Sequence, residues 1–131
     1  MKRSEIRTLV LRAGGTNCDG ETATAFRDLG TAVDVLHTRK VVKERSLLEY
    51  DVLVFPGGFA YGDYVRSGVI WAKEVEVSLL DDLQRFVDDG RPVVGICNGF
   101  QVLVELGLLP SFKGRSAYPE AALASNSNGY Q

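Results

Sequence analysis

Apolar runs and amphipathic segments alternate along this chain, and glycines punctuate nearly every change of pattern. The run Arg7–Ala13 (RTLVLRA) is closed by Gly14-Gly15 and predicts a buried strand. Asn17 or Asp19 is placed to cap a helix carrying Ala25, Phe26 and Leu29, with Gly30 as its stop. Ala32–His37 predicts a second strand, and the stretch ERSLLEY predicts a short helix. Asp51–Gly58 predicts a third strand with a Pro-Gly-Gly exit, followed by the loop FAYGDYVRSG. From Val69 to Asp89 the period is helical, with Ala72, Val75, Leu79, Leu83, Phe86 and Val87 on one face and a candidate break at Val77-Ser78. Gly90 ends that helix, Arg91–Ile96 predicts a fourth strand, and Asn98–Leu106 a last helix stopped by Gly107.

Apolar strands alternating with helices predict an α/β fold, a parallel sheet with right-handed crossovers and flanking helices. In such sheets sites form at the carboxyl ends of the strands. Three junctions satisfy that rule: Gly14–Cys18, Pro56–Asp63 and Gly95–Gly99.

Composition narrows the function classes. The chain has 131 residues, enough for one hydrophobic core, and is 45% hydrophobic and 24% charged. A formal net charge of −2 gives no basic surface for nucleic acid or a membrane. No apolar run is long enough to span a bilayer, which predicts a cytoplasmic protein. Cys18 and Cys97, the two cysteines, stand in different settings and predict free thiols rather than a disulfide framework.

Gly95-Ile96-Cys97-Asn98-Gly99 has the G-x-nucleophile-x-G form of a nucleophile elbow. A sharp strand-to-helix turn lifts the sulfur above the sheet and sets it at a helix N-terminus, where dipole and free N–H groups favour negative charge. The N–H of Asn98 then faces an oxyanion, and Gly57-Gly58 can supply a second donor. The competing reading makes Cys97 a small core residue, as free cysteine often is. Cys18 lacks the paired glycines of an elbow and is the weaker thiol candidate. His37, the single histidine, closes the second strand sixty residues before Cys97 and reads as a solvent-facing or satisfied side chain. No zinc spacing and no phosphate-binding glycine motif is present. The loop residues Phe59, Tyr61, Asp63, Tyr64 and Arg66 either line a pocket, meet a partner or pack locally.

Three long stretches, RAGGTNCDGETATAF, VFPGGFAYGDYVRSG and GICNGFQVLVELGLLP, resemble the class I glutamine amidotransferases. More narrowly they resemble the glutaminase subunit or domain of phosphoribosylformylglycinamidine synthase; Ser111–Gln131 matches loosely. The resemblance implies a flavodoxin-like amidotransferase fold, with residues 1–131 as the N-terminal portion of a single domain. It implies that Cys97 attacks the side-chain amide of glutamine, giving a thioester and ammonia. Asn98 with Gly57 and Gly58 would form the oxyanion hole, and Gln101 would contact glutamine. No cofactor is implied for this chain. Ammonia would pass to a large synthetase subunit or domain that uses ATP and Mg, joined in some members by a small third subunit, for amidation of formylglycinamide ribonucleotide in purine biosynthesis. The family completes its triad with a histidine and a glutamate in an H-x-E arrangement well downstream of the cysteine. No histidine follows Cys97 here, so the chain by itself is expected to be inactive. A competing resemblance, to cysteine-elbow hydrolases such as the DJ-1-like family, would place histidine directly after the cysteine; Asn98 stands there, which argues against it. A non-catalytic flavodoxin-like binding or interaction module is the alternative from a different class.

Overall fold

The computed structural model describes residues 2–44, 46–116 and 118–129. Four strands, β1 (Arg7–Arg12), β2 (Ala32–His37), β3 (Val52–Phe55) and β4 (Val93–Gly95), form one sheet in the order β2-β1-β3-β4. All three pairings are parallel, with Val10 opposite Val35 and Val54, and Val54 opposite Val94. The expected parallel α/β architecture is therefore present. Helices α1 (Asp19–Asp28), α2 (Thr38–Glu44), α3 (Val69–Asp88) and α4 (Asn98–Glu105) connect or follow the strands.

The two faces of the sheet are covered unequally. Leu9, Leu11, Leu53 and Phe55 point into the larger core, which Trp71, Val75 and Leu83 of α3 and Val102 and Leu103 of α4 complete. Val10 and Val54 point the other way, into a smaller cluster with Ala23 and the half-buried Phe26 of α1 and with half-buried valines of the sheet. This alternation follows from the period-2 geometry of a strand. It also makes the β1/β3 boundary a switch point, because the helix after β1 lies on one face and the helix after β3 on the other. Ligand crevices of open α/β sheets form at such points.

Several expected details change. Of the apolar residues expected on α1, only Phe26 packs against the sheet; Thr22 and Ala23 are buried, whereas Ala25 and Leu29 are exposed. Thr22 and Phe26 are one turn apart, and the small Thr22 and Ala23 let the helix approach the valine face. Neither Asn17 nor Asp19 caps α1. Cys18 is the cap residue, without a side-chain cap bond, and Asp19 pairs instead with Arg12 at 3.3 Å. The stretch predicted as a short helix holds only a 3-10 turn at Leu47–Glu49, closed by a Ser46/Glu49 capping box. The unpredicted α2 precedes it; its one buried apolar side chain, Val41, leaves too weak a period to see. Thr38 is fixed by tertiary contacts, accepting from Trp71 Nε1 at 3.0 Å and donating to the Arg12 carbonyl at 3.2 Å. Helix α3 runs without a break at Val77-Ser78; the Ser78 hydroxyl donates back to the Glu74 carbonyl, which the helix tolerates. After α4, Arg115 Nε donates to the Leu106 carbonyl and the Ser116 N–H to Gly107, tying the chain back to the helix end.

Candidate active site

The turn after β4 has the geometry that its glycines require. Cys97 stands at φ 51°, ψ −108°, outside the regions an L-residue prefers, as the N-cap of α4. The turn is closed by the Gly99 N–H donating to the Ile96 carbonyl at 2.9 Å and the Gln101 N–H to the Cys97 carbonyl at 3.1 Å. A β-carbon on Gly99 would collide with the Phe55 carbonyl of β3, and one on Gly95 would stand 2.8 Å from the Gly99 carbonyl. Helix and strand can cross this closely only without those side chains. Cys97 itself is exposed, between the exposed Ile96 and the buried Asn98.

The exits of β1 and β3 meet beside it. The Cys18 N–H donates to the Gly57 carbonyl at 3.2 Å, the Phe59 N–H to Gly15 at 3.0 Å, and the Tyr61 N–H to Gly14 at 2.7 Å. Gly57 is next to Cys97: its missing β-carbon would be 3.6 Å from Cys97 Cβ. Among the described residues no hydrogen bond takes up the N–H groups of Gly57, Gly58 or Asn98. Peptide N–H groups left free around a nucleophile can hold a developing oxyanion.

Asn98 is only 1% exposed, and its side chain organises the site's rim. Its Oδ1 accepts from the Ala60 N–H at 3.0 Å; its Nδ2 donates to Asp63 Oδ1 at 3.3 Å and to Gln101 Oε1 at 3.0 Å. The amide thus pins the loop after β3 onto the start of α4 and fixes the oxygen of Gln101. Sequence reading gave Asn98 a backbone role and missed this side-chain one, because its partners Ala60 and Asp63 are more than thirty residues away in the chain. Gln101 also borders a groove of about 430 Å³ with Arg66, Ser67, Glu105 and residues 123–126.

The remaining loop residues divide. Arg66 pairs with Glu105 at 3.0 Å, whereas Phe59, Tyr64 and Val65 are exposed, Val65 to 87%. Tyr61 packs locally, its hydroxyl donating to Glu74 Oε2 at 2.6 Å while Arg39 Nε holds Glu74 Oε1 at 3.3 Å. Burial, reinforced by the hydrogen bond and charge of Glu74, pushes the Tyr61 phenol up to about 12 from 10.0. Unfolded chains lose this proton first as pH rises, so the contribution is complete below pH 10 and disappears towards pH 12. The urea midpoint of the wild type should fall more steeply across that window than that of Tyr61→Phe; identical slopes would contradict the assignment.

His37 is not part of this cluster. It ends β2, the edge strand opposite β4, and its Nδ1 accepts from the Arg39 N–H at 3.2 Å. Three interstrand spacings, roughly 14 Å, separate β2 from β4. Among the described residues no group of three histidine, cysteine or acidic side chains could hold a metal, and no helix is long and apolar enough to cross a membrane.

Residues 5–130 match the sequence model of the CobB/CobQ-like glutamine amidotransferase domain. The chain belongs to this family. It is 47% identical to phosphoribosylformylglycinamidine synthase subunit PurQ of Archaeoglobus fulgidus, the match covering 96% of this chain and 50% of that protein. It is 44% identical to the PurQ subunit of Dehalococcoides mccartyi, over 82% of this chain and 42% of the relative. Among solved structures, PurLQS from Thermotoga maritima has a chain that superposes with a TM-score of 0.74 at 31% identity, covering 95% of this chain and 50% of that one. The chain spans about half the length of the curated relatives it matches. The Cys97 turn thus stands on a family scaffold, and the parallel sheet agrees with the structural neighbour.

Proposed function

We propose that this chain carries the nucleophile and oxyanion hole of a glutaminase that supplies ammonia to phosphoribosylformylglycinamidine synthase in purine biosynthesis. The observation that carries this reading is Cys97, exposed on a strained elbow, beside the free N–H groups of Gly57, Gly58 and Asn98. The Cys97 sulfur attacks the γ-amide carbon of glutamine, and the carbonyl oxygen becomes an oxyanion held by those N–H groups. The C–N bond breaks, ammonia leaves with an added proton, and water then releases glutamate from the thioester. Gln101 orients the substrate through its free amide nitrogen, because Asn98 already engages its oxygen. The relatives' name as a synthase subunit supports a synthetase partner; in this reading that partner is large and uses ATP and Mg, a small third subunit joins it, and the proteins meet in the cytoplasm.

Proton transfer is the step this chain does not supply. His37 is on the wrong edge of the sheet, and general acid–base help is typically worth ~10²–10⁴-fold. Glutamine hydrolysis by the 131-residue chain should therefore be negligible, while the pocket should still direct a glutamine-shaped electrophile to Cys97. A γ-electrophilic glutamine analogue is expected to label Cys97 and spare Cys18, with protection by glutamine and loss in Cys97→Ala. Equal, slow labelling of both cysteines would replace this reading with the binding module. Brisk glutamate release abolished by Cys97→Ala would show that a base had been overlooked.

A further inference from the structure

Cys18 and Cys97 are 79 residues apart in sequence, yet both border the same vacant position. A β-carbon on Gly57 would stand 3.7 Å from Cys18 Sγ and 3.6 Å from Cys97 Cβ. Because residue 57 is glycine, no side chain grows from β3 between them. Both cysteines are exposed and neither is in a disulfide. Their backbones are anchored to the same strand: the Cys18 N–H donates to Gly57, and the Ile96 N–H donates to Phe55 at 3.0 Å. Cys18 makes no side-chain cap bond to α1, so its sulfur is not committed to the helix.

We propose that Cys18 is the resolving thiol for Cys97, and that the pair is a reversible peroxide-sensitive modification site. The Cys97 thiolate attacks one oxygen of hydrogen peroxide; the O–O bond breaks, hydroxide leaves, and sulfur is oxidised by two electrons to the sulfenic acid. The Cys18 thiolate then attacks that sulfur, forming the S–S bond and expelling hydroxide, which the released protons convert to water. Two thiols and one peroxide give one disulfide and two waters. Closing the bond across Gly57 blocks the nucleophile and spares it the irreversible step to sulfinic acid. Dithiol reductant restores both thiols. The pairing rests on Cys18 Sγ and Cys97 Cβ bordering one vacant position at Gly57, and holds whether or not Cys97 attacks glutamine.

The test is peroxide treatment of the 131-residue chain followed by peptide mapping without reduction, compared with Cys18→Ser. Serine is a favoured helix cap, so this variant retains α1. The wild type should yield a Cys18–Cys97 cross-linked peptide within one chain, at a rate independent of protein concentration. Its Cys97 labelling by iodoacetamide should vanish on oxidation and return fully with dithiothreitol. Cys18→Ser should accumulate sulfinic acid at Cys97, and reductant should not restore labelling. Sulfinic acid forming equally fast in both proteins, a disulfide only between chains, or a Cys97 that peroxide leaves untouched would each overturn the proposal. Labelling of the reduced protein by the glutamine analogue is a separate readout, so either reading can fail alone.

Discussion

Gly99→Ala should leave this protein largely unfolded. An exposed helical position would gain up to about 1 kcal/mol from alanine, but residue 99 is buried in the first turn of α4, against β3. The three atoms nearest to its added β-carbon all belong to Phe55: the carbonyl oxygen, the carbonyl carbon and Cβ. Two of the three are backbone, so no rotamer change relieves the overlap. Either α4 lifts from the sheet, taking Val102 and Leu103 out of the core, or β3 leaves its register with Val93 and Val94. Overpacking usually costs about 1–3 kcal/mol when side chains can yield; with backbone on the other side the cost should exceed that range. That is a large share of the roughly 5–15 kcal/mol that holds a domain together. Gly20→Ala is the matched control. It lies in α1 with nothing within 4 Å of the added carbon, and should gain about 0.4–1 kcal/mol. Equal urea midpoints for Gly99→Ala and wild type would refute the close crossing of α4 and β3.

The second large effect is expected from Asn98→Asp, which keeps the shape and removes the donor. The wild-type amide donates to Asp63 Oδ1 and Gln101 Oε1 from a site that is 1% exposed. A carboxylate there cannot donate to either and faces the Asp63 carboxylate. Gln101 can rotate its amide to compensate, but Asp63 cannot. Losing a buried donor and creating a like-charge pair should cost about 3 kcal/mol or more at neutral pH. Burial and the Asp63 charge raise the new group's pKa, so the folded state holds a proton that the unfolded chain has released. The penalty is then greatest at and above neutral pH and shrinks as pH falls towards 4, where the protonated acid can donate again. Limited proteolysis should find the loop after β3 cut faster in the variant at pH 7 than at low pH. A pH-independent penalty, or none, would mean that Asn98 does not hold the loop.

Both effects bear on what can be read from residues in order. The strands were legible because each is a short apolar run, ended by glycine or proline in β1, β3 and β4, and burial on two faces leaves that pattern unmistakable in β1 and β3. Helix α3 was legible in its extent because its buried face repeats from Ala72 to Phe86, although a break expected at Val77-Ser78 does not occur. The elbow was legible too, since a glycine on each side of a cysteine between strand and helix has few other uses. Family membership was therefore written in local sequence.

What local sequence could not give is whatever depends on partners distant in the chain. Helix α2 exists because Trp71 and Arg12 hold Thr38, and neither is near it in sequence. The buried face of α1 was set by the valines across the sheet rather than by the helix's own strongest apolar residues. Asn98 looked like a backbone donor until the loop 38 residues earlier closed on its side chain. Cys18 was only the weaker thiol candidate, with no link to Cys97, until β1 and β3 were placed side by side and their exits met at Gly57. The sequence by itself determined the strands, the long helix and the glycine-flanked turn that carries Cys97, because propensity, period and turn chemistry act over a few residues. Tertiary structure alone decided which thiol lies near which, where His37 stands and what fixes the loop, because parallel strand order brings together residues that share no local signal.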